Sequence, residues 1–212
     1  MLWRVRKPRG RGYTPAAFIS PCRPILAKTA PEGPGWAYEV KHDGYRIQLH
    51  VRDGRIRLYT LNAADWTDRY PLVVEAAAKL KAPAIIDAEL VCTDADGRAD
   101  FDRLHCRAYD HQAIACAFDV LMHDDEDLRR QPFEVRKRTL RKLLHRSHDA
   151  IQYVEHTAGD GAEMFKAACA LGLEGIVCKR LAAPYKSGRS RSWLKVKNPR
   201  APAMMRIIDG TF

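Results

Sequence analysis

The sequence predicts an α+β domain of antiparallel sheets with flanking helices. Two Asp-Gly pairs, Asp43-Gly44 and Asp53-Gly54, stand between residues of alternating polarity, the signal of two-residue hairpins. Strand-like segments far outnumber helical ones early in the chain. The helices are inserted between strands, which argues against a parallel doubly wound sheet.

Residues 1–35 are rich in Arg, Pro and Gly without sustained periodicity, and read as an extended arm reaching a first strand near Trp36. The domain proper is expected over 18–200, with 1–17 a basic arm and 201–212 a tail. A two-residue turn at Asp43-Gly44 would pair His42 with Tyr45, Lys41 with Arg46 and Val40 with Ile47. One face of that hairpin carries Tyr38, Val40, Tyr45, Ile47 and Leu49; the other carries Glu39, Lys41, Arg46 and Gln48. Asp53-Gly54 then joins Ile47, Leu49 and Val51 to Ile56 and Leu58 in a meander. Pro71 suits the first position of a helix running to about residue 81. Residues 84–92 read as a strand, 94–97 as a turn, and 113–122 as an apolar strand interrupted by Asp119. Pro132 opens a helix whose core stripe is Phe133, Leu140, Leu143 and Leu144. A short strand at 151–154 precedes a helix between Asp160, its N-cap, and Gly172, its stop. Residues 174–179 and 193–197 are the last strands.

At 212 residues, 46% hydrophobic and 29% charged, the composition is that of a soluble globular protein large enough for a real core. No apolar run approaches a membrane span, and the basic N-terminus lacks a signal-peptide segment, so an intracellular location without a membrane partner is expected. The net charge is +10 and unevenly placed. Residues 1–12 hold five basic side chains, and nine more lie between Glu174 and Asp209, with no acid in either stretch. Two basic zones on a mildly acidic body are the footprint of a polyanion partner. For residues 1–12 a solvated tail explains the charge equally well. The six cysteines include no C-x-x-C pair and read as reduced, mostly buried thiols. The spacing of His105, Cys106, His111 and Cys116 fits no common zinc pattern.

Lys41 beside Arg46 on a pleated wall suggests a phosphate site containing a nucleophile. A lysine amine is mostly protonated at neutral pH; neighbouring cations and partial burial disfavour that charge, and a free amine can attack phosphorus. Lys41-His42-Asp43-Gly44 taken alone also fits a surface hairpin with exposed charges. Phe118 alone fits a core position, and Lys195 and Lys197 alone fit a basic edge strand.

Five blocks at expected strand ends or strand-turn junctions change that balance: Lys41-His42-Asp43-Gly44-Tyr45-Arg46, Asp87-Ala88-Glu89, Phe118-Asp119-Val120, Glu174-Gly175-Ile176-Val177-Cys178-Lys179 and Trp193-Leu194-Lys195-Val196-Lys197. In this order they resemble the covalent nucleotidyltransferases, namely ATP-dependent DNA ligases, RNA ligases and capping enzymes. The likeness is strongest to the ligase domain of bacterial DNA ligase D. It extends to Pro34-Gly35-Trp36, Tyr70-Pro71, Asp127-Leu128-Arg129 and Tyr185-Lys186-Ser187-Gly188, and covers roughly 18–200.

The resemblance implies the covalent nucleotidyltransferase (ATP-grasp-like) fold and an ATP-dependent DNA ligase acting in repair in the bacterial cytoplasm or nucleoid. It implies Lys41 as the nucleophile that takes AMP from ATP. Glu39 is implied near the adenine amino group, Phe118 stacked on the base, and Arg46 near ribose and phosphate. Glu89 and Glu174 are implied near the ribose and a catalytic Mg²⁺ (or Mn²⁺), and Lys179, Lys195 and Lys197 beside the phosphates. Nicked double-stranded DNA is the implied partner.

Two departures stand out. Thr60-Leu61-Asn62 occupies a position where such ligases usually carry Ser/Thr-Arg-Asn, so Leu61 removes an arginine associated with phosphate or nick contacts. About fifteen residues follow Lys197, too few for the OB-fold such ligases carry next; the expectation is either a stand-alone adenylation domain or part of a split or truncated system in which a separate OB-fold or end-joining partner supplies that module. RNA ligation or GTP-dependent capping, and a non-sealing nucleotide- or DNA-binding module, are the alternative readings.

Overall fold

The computed structural model describes residues 18–145 and 149–204. The basic arm at 1–17 and most of the 201–212 tail lie outside the described residues. Strands β1 (Cys22–Leu26), β2 (Trp36–Val40), β3 (Tyr45–Arg52) and β4 (Arg55–Thr60) lead to helix α1 (Pro71–Ala77) and strand β5 (Ala84–Val91). The short helix α2 (Phe101–His105), strand β6 (Ile114–His123), the two-residue β7 (Glu126–Asp127) and helix α3 (Phe133–Leu143) follow. The chain closes with β8 (Ile151–Tyr153), α4 (Gly161–Ala170), β9 (Gly175–Arg180) and β10 (Gly188–Lys197).

The strands form two sheets, one of four in the order β1-β10-β9-β2 and one of six in the order β4-β3-β5-β6-β7 with β8 beside β6. Most pairings are antiparallel as expected. The exceptions are β1 with β10 and β6 with β8, which run parallel.

The expected Asp43-Gly44 hairpin does not form. β2 pairs with β9, Glu39 opposite Val177, whereas β3 pairs with β4 and β5, so the chain changes sheets between Lys41 and Gly44. Gly44 does not serve a left-handed turn: a Cβ there would lie 2.0 Å from the carbonyl oxygen of Leu90. The glycine is needed for close backbone approach. The second turn forms as expected, with Arg52 opposite Arg55 and both Asp53 (φ 49°) and Gly54 (φ 70°) left-handed.

Because β2 and β3 part company, the expected apolar face is divided between two cores. Tyr38 packs with Trp36, Ile176, Cys178 and Val196 beneath α4. Ile47 and Leu49 join Leu58, Ile86 and Val120 in the main core, capped by Val73 of α1 and Leu140 of α3. A third cluster, with Cys22, Ile85, Leu121, Tyr185 and Trp193, lies between the sheets.

Element bounds and positions also differ from expectation, and β10 begins at Gly188, five residues before the expected start at Trp193. β1 lies inside the expected arm; it is short, carries Pro24, and sits at a sheet edge where the missing N–H is tolerated. α1 stops at Ala77 rather than near 81: the amides of Lys79 and Leu80 bond the carbonyls three residues back, those of Ala76 and Ala77, so the helix tightens into a turn. Phe118 lies mid-strand in β6 rather than at a strand end. There Asp87 faces Asp119 while Ala88 faces Ala117, so Phe118 is the extra residue of a β-bulge. The α4 boundaries are those expected: Asp160 accepts from the amides of Ala162 and Glu163, and Gly172 has φ 72°. All six cysteines are free, and four are buried.

Candidate active site

The inner faces of the two sheets enclose a cavity of about 320 Å³. Of the residues expected in a nucleotide site, Glu39, Lys41, Arg46, Glu89, Phe118, Lys179 and Lys195 line it. Glu174, the partner of Lys41, lines an adjoining trough of about 770 Å³ that meets the first cavity at Val40, Lys41, His42 and Val154. Lys197 reaches the same place, its Nζ 3.6 Å from Glu174 Oε1. All nine residues thus converge, brought from β2, β3, β5, β6, β9 and β10 and the turns beside them.

Lys41 follows β2, and its amide donates to the carbonyl of Gly175 at 2.9 Å, which extends the β2–β9 ladder by one residue. Its Nζ donates to Glu174 Oε2, and its side chain is 21% exposed where the two cavities join. Lys195 makes no ion pair among the described residues. Burial and the like charges of Lys41 and Lys197 push its ammonium below the usual lysine range.

Arg46 is held on all sides. Nε donates to Asp87 Oδ1 at 2.9 Å and Nη2 to Oδ2 at 2.6 Å, while Nη1 donates to the carbonyl of Cys22 at 2.5 Å. Tyr185 donates to Asp87 Oδ2 at 2.8 Å and accepts from the amide of Cys22 at 2.8 Å. Burial opposes the guanidinium charge, but Asp87 outweighs it and raises the pKa. The guanidinium also lies over the rings of Phe118 (5.3 Å) and Trp193 (5.7 Å).

Glu39 is 2% exposed and faces two ammonium groups, Lys179 Nζ at 2.5 Å and Lys137 Nζ at 2.8 Å. Burial pushes its carboxyl up, and the two lysines more than reverse that, so its pKa falls below the ordinary value. Lys179 Nζ also lies 4.2 Å from the Trp193 ring centre and 4.4 Å from that of Phe118, so its charge points to the aromatic end of the cavity. Glu89 is half-buried. Burial raises its pKa to about 7, against the pull of Lys41 and Arg46 and with the push of Glu174 and Asp87.

Sequence reasoning missed four residues around this site. Lys137 donates to the carbonyl of Val154 at 2.6 Å besides meeting Glu39, and Arg136 makes a bidentate pair with Asp119 at 2.8 Å to each oxygen. The signal for both was present: 136, 137 and 140 follow Phe133 at the spacings that share one helix face, so the core stripe includes two charges. Tyr185 and Asp87, which anchor Arg46, stood in quoted blocks without a role.

A family model for the ATP dependent DNA ligase domain matches residues 19–197. The chain belongs to this family. To the multifunctional non-homologous end joining protein LigD of Pseudomonas aeruginosa the ligase domain is 38% identical over 200 residues, covering 91% of this chain and 24% of that protein. The chain therefore spans about a quarter of LigD's length. Among solved structures, a mycobacterial DNA ligase D complexed with ATP and MES superposes with a TM-score of 0.76 at 30% identity, covering 84% of this chain and 60% of that one. The ligase domain of Mycobacterium tuberculosis LigD gives 0.75 at 30% identity, with 84% and 59% covered. The family and fold expected of this ATP-dependent DNA ligase domain are those found. Among the described residues no helix is long and apolar enough to cross a membrane.

Proposed function

We propose that this ligase domain seals nicks in double-stranded DNA by way of an AMP adduct on Lys41. The observation that carries the reading is the position of Lys41 Nζ, hydrogen-bonded to Glu174 at the junction of the two cavities with Lys195 and Lys197 nearby. The Lys41 amine attacks the α-phosphorus of ATP. The N–P bond forms, the bond to the bridging oxygen breaks, and pyrophosphate leaves. The hydrogen bond to Glu174 gives the departing ammonium proton a path. An oxygen of the 5′-phosphate at a nick then attacks the same phosphorus and releases Lys41. Attack of the 3′-hydroxyl on that 5′-phosphate closes the strand and releases AMP.

In this reading Phe118, the bulged residue of β6, stacks on the adenine and Glu39 accepts from its amino group. We place Lys179 with Glu39 at the base end and leave the phosphates to Lys195 and Lys197, which neutralise developing charge. Arg46 contributes a rigid cationic wall beside the ribose, since three of its five N–H donors are engaged by Asp87 and Cys22. Glu89 and Glu174 offer hard oxygens of the kind Mg²⁺ or Mn²⁺ takes alongside substrate phosphates, and the bound ion would neutralise phosphate charge.

The printed name of the LigD relative, a non-homologous end joining protein, supports a role in DNA repair, and the reading includes a separate OB-fold or end-joining partner and action in the bacterial cytoplasm. Intact mass after exposure to ATP and Mg²⁺ tests the reading. One added AMP, absent in Lys41→Ala, is expected; an unmodified protein would leave a nucleotide- or DNA-binding module. Labelling by GTP as strong as by ATP would favour capping-type chemistry.

A further inference from the structure

Most cations at the cavity already face a carboxylate: Lys41 meets Glu174, Arg46 meets Asp87 and Lys179 meets Glu39. Among the described residues lining it, Arg23 and Lys195 make no ion pair. Lys195 belongs to the expected phosphate set. Arg23 belongs to no motif.

Arg23 is exposed on β1, yet its backbone is firmly held. The preceding residue, Cys22, donates to Tyr185 through its amide and accepts from Arg46 through its carbonyl. On the other side, β1 runs along β10 with Arg23 beside Arg189 and Leu26 beside Lys195. A guanidinium with no ion pair among the described residues is thus carried on a strand tied directly to the Arg46–Asp87 pair. The same cavity is also lined by Leu61, 38% exposed, at the position where the resemblance leads to an arginine. A leucine can offer a phosphate nothing.

We propose that Arg23 is a phosphate-positioning residue at the mouth of this cavity, supplying from β1 the guanidinium that Leu61 does not supply from the end of β4. The proposal rests on the nucleotidyltransferase reading above. Its ligand is a terminal phosphate oxygen, which the planar guanidinium fork binds in bidentate fashion. Two sources offer that chemistry, the β- and γ-phosphates of ATP and the 5′-phosphate of the nick. An edge-strand arginine that only discourages strand pairing would hold neither.

The test compares wild type, Arg23→Ala, Arg23→Lys, Leu61→Arg and Arg23→Ala/Leu61→Arg in two assays. One follows AMP-adduct formation by intact mass over a range of ATP concentrations; the other follows sealing of a nick already carrying 5′-adenylate over a range of DNA concentrations. A hydrogen bond to a charged group corresponds to roughly ten- to hundredfold in affinity. Arg23→Ala is therefore expected to raise KM by about tenfold or more, with kcat and melting temperature near wild type. Arg23→Lys should recover part of the loss, and Leu61→Arg most of it in the Arg23→Ala background. A KM effect confined to adduct formation identifies the ATP phosphates, and one confined to sealing identifies the nick. Arg23→Ala behaving as wild type in both assays overturns the proposal, as does a Leu61→Arg effect of equal size in both backgrounds. Wild-type protein that forms no adduct removes the nucleotidyltransferase reading and this proposal with it. An adduct in wild type with an indifferent Arg23→Ala removes only this one.

Discussion

Lys137→Met and Glu39→Gln, alone and together, probe whether the floor of the cavity is held by one coupled charge cluster. Lys137 and Glu39 are 1% and 2% exposed, and Lys137 joins α3 to β2 while also donating to Val154. Methionine replaces most of the lysine stem but leaves the Val154 carbonyl without its donor, which costs about 1–3 kcal/mol. Glu39 keeps Lys179, so no carboxylate is stranded. Glu39→Gln is more severe: two buried ammonium groups lose their shared counter-charge, at about 3–5 kcal/mol. For a domain of this size each kcal/mol lowers the melting temperature by about 2–4 °C. Lys137→Met should therefore melt about 2–12 °C lower and Glu39→Gln about 6–20 °C lower. The double variant should be less damaged than the sum, by about 1–3 kcal/mol, because it removes one of the two unbalanced charges. Urea unfolding followed by two probes gives the cycle. Additivity within about 0.5 kcal/mol would refute the coupling.

Neither Lys41→Ala nor Lys41→Arg should form an AMP adduct, since alanine has no amine and guanidinium stays protonated; an adduct of normal yield in either moves the nucleophile elsewhere. Glu89 should make stability pH-dependent: between the ordinary carboxylate value near 4.3 and its own of about 7, the folded protein holds a proton the unfolded chain has lost. Stability from this group therefore falls as pH rises through that window. Glu89→Gln should gain on wild type from pH 5 to 7, and a melting difference constant over that range would contradict it. Gly44→Ala should lose about 3 kcal/mol or more, the top of the overpacking range, because its Cβ meets a backbone carbonyl at 2.0 Å, whereas at Gly54 a Cβ meets nothing within 4 Å and only the left-handed φ resists, at about 1–2 kcal/mol. Equal or reversed melting losses would count against the close-approach argument. DNA affinity, measured by fluorescence titration, should fall steeply from low to physiological salt, and a flat response would exclude a backbone-phosphate contact.

Much of the site was legible because its chemistry is written in short local blocks. Lys41, Arg46, Glu89, Glu174, Lys195 and Lys197 each lie in or beside a strand, and strand alternation is a two-residue signal that survives without knowledge of partners. The Asp53-Gly54 turn and the Asp160 cap were equally readable, since a turn or a cap is decided within four residues of chain.

Pairing is a different matter. Nothing within residues 36–52 says that β2 will bond β9, some 140 residues away, rather than its neighbour β3; Asp43-Gly44 carries a turn signal in either case. The choice is made by burial: separating β2 from β3 lets Tyr38 enter one core and Ile47 another, and opens between the sheets the space that Lys41 faces. The steric demand on Gly44 exists only once Leu90 is beside it. Likewise Lys137, Asp87 and Arg23 gain their meaning from neighbours on other elements. The sequence by itself determined the family and the short strand blocks, Lys41-His42-Asp43-Gly44 among them. Only the tertiary structure decided which sheet each strand joins, which charges are paired, and which two cations lining the cavity make no ion pair among the described residues, because those outcomes depend on contacts between residues far apart in the chain.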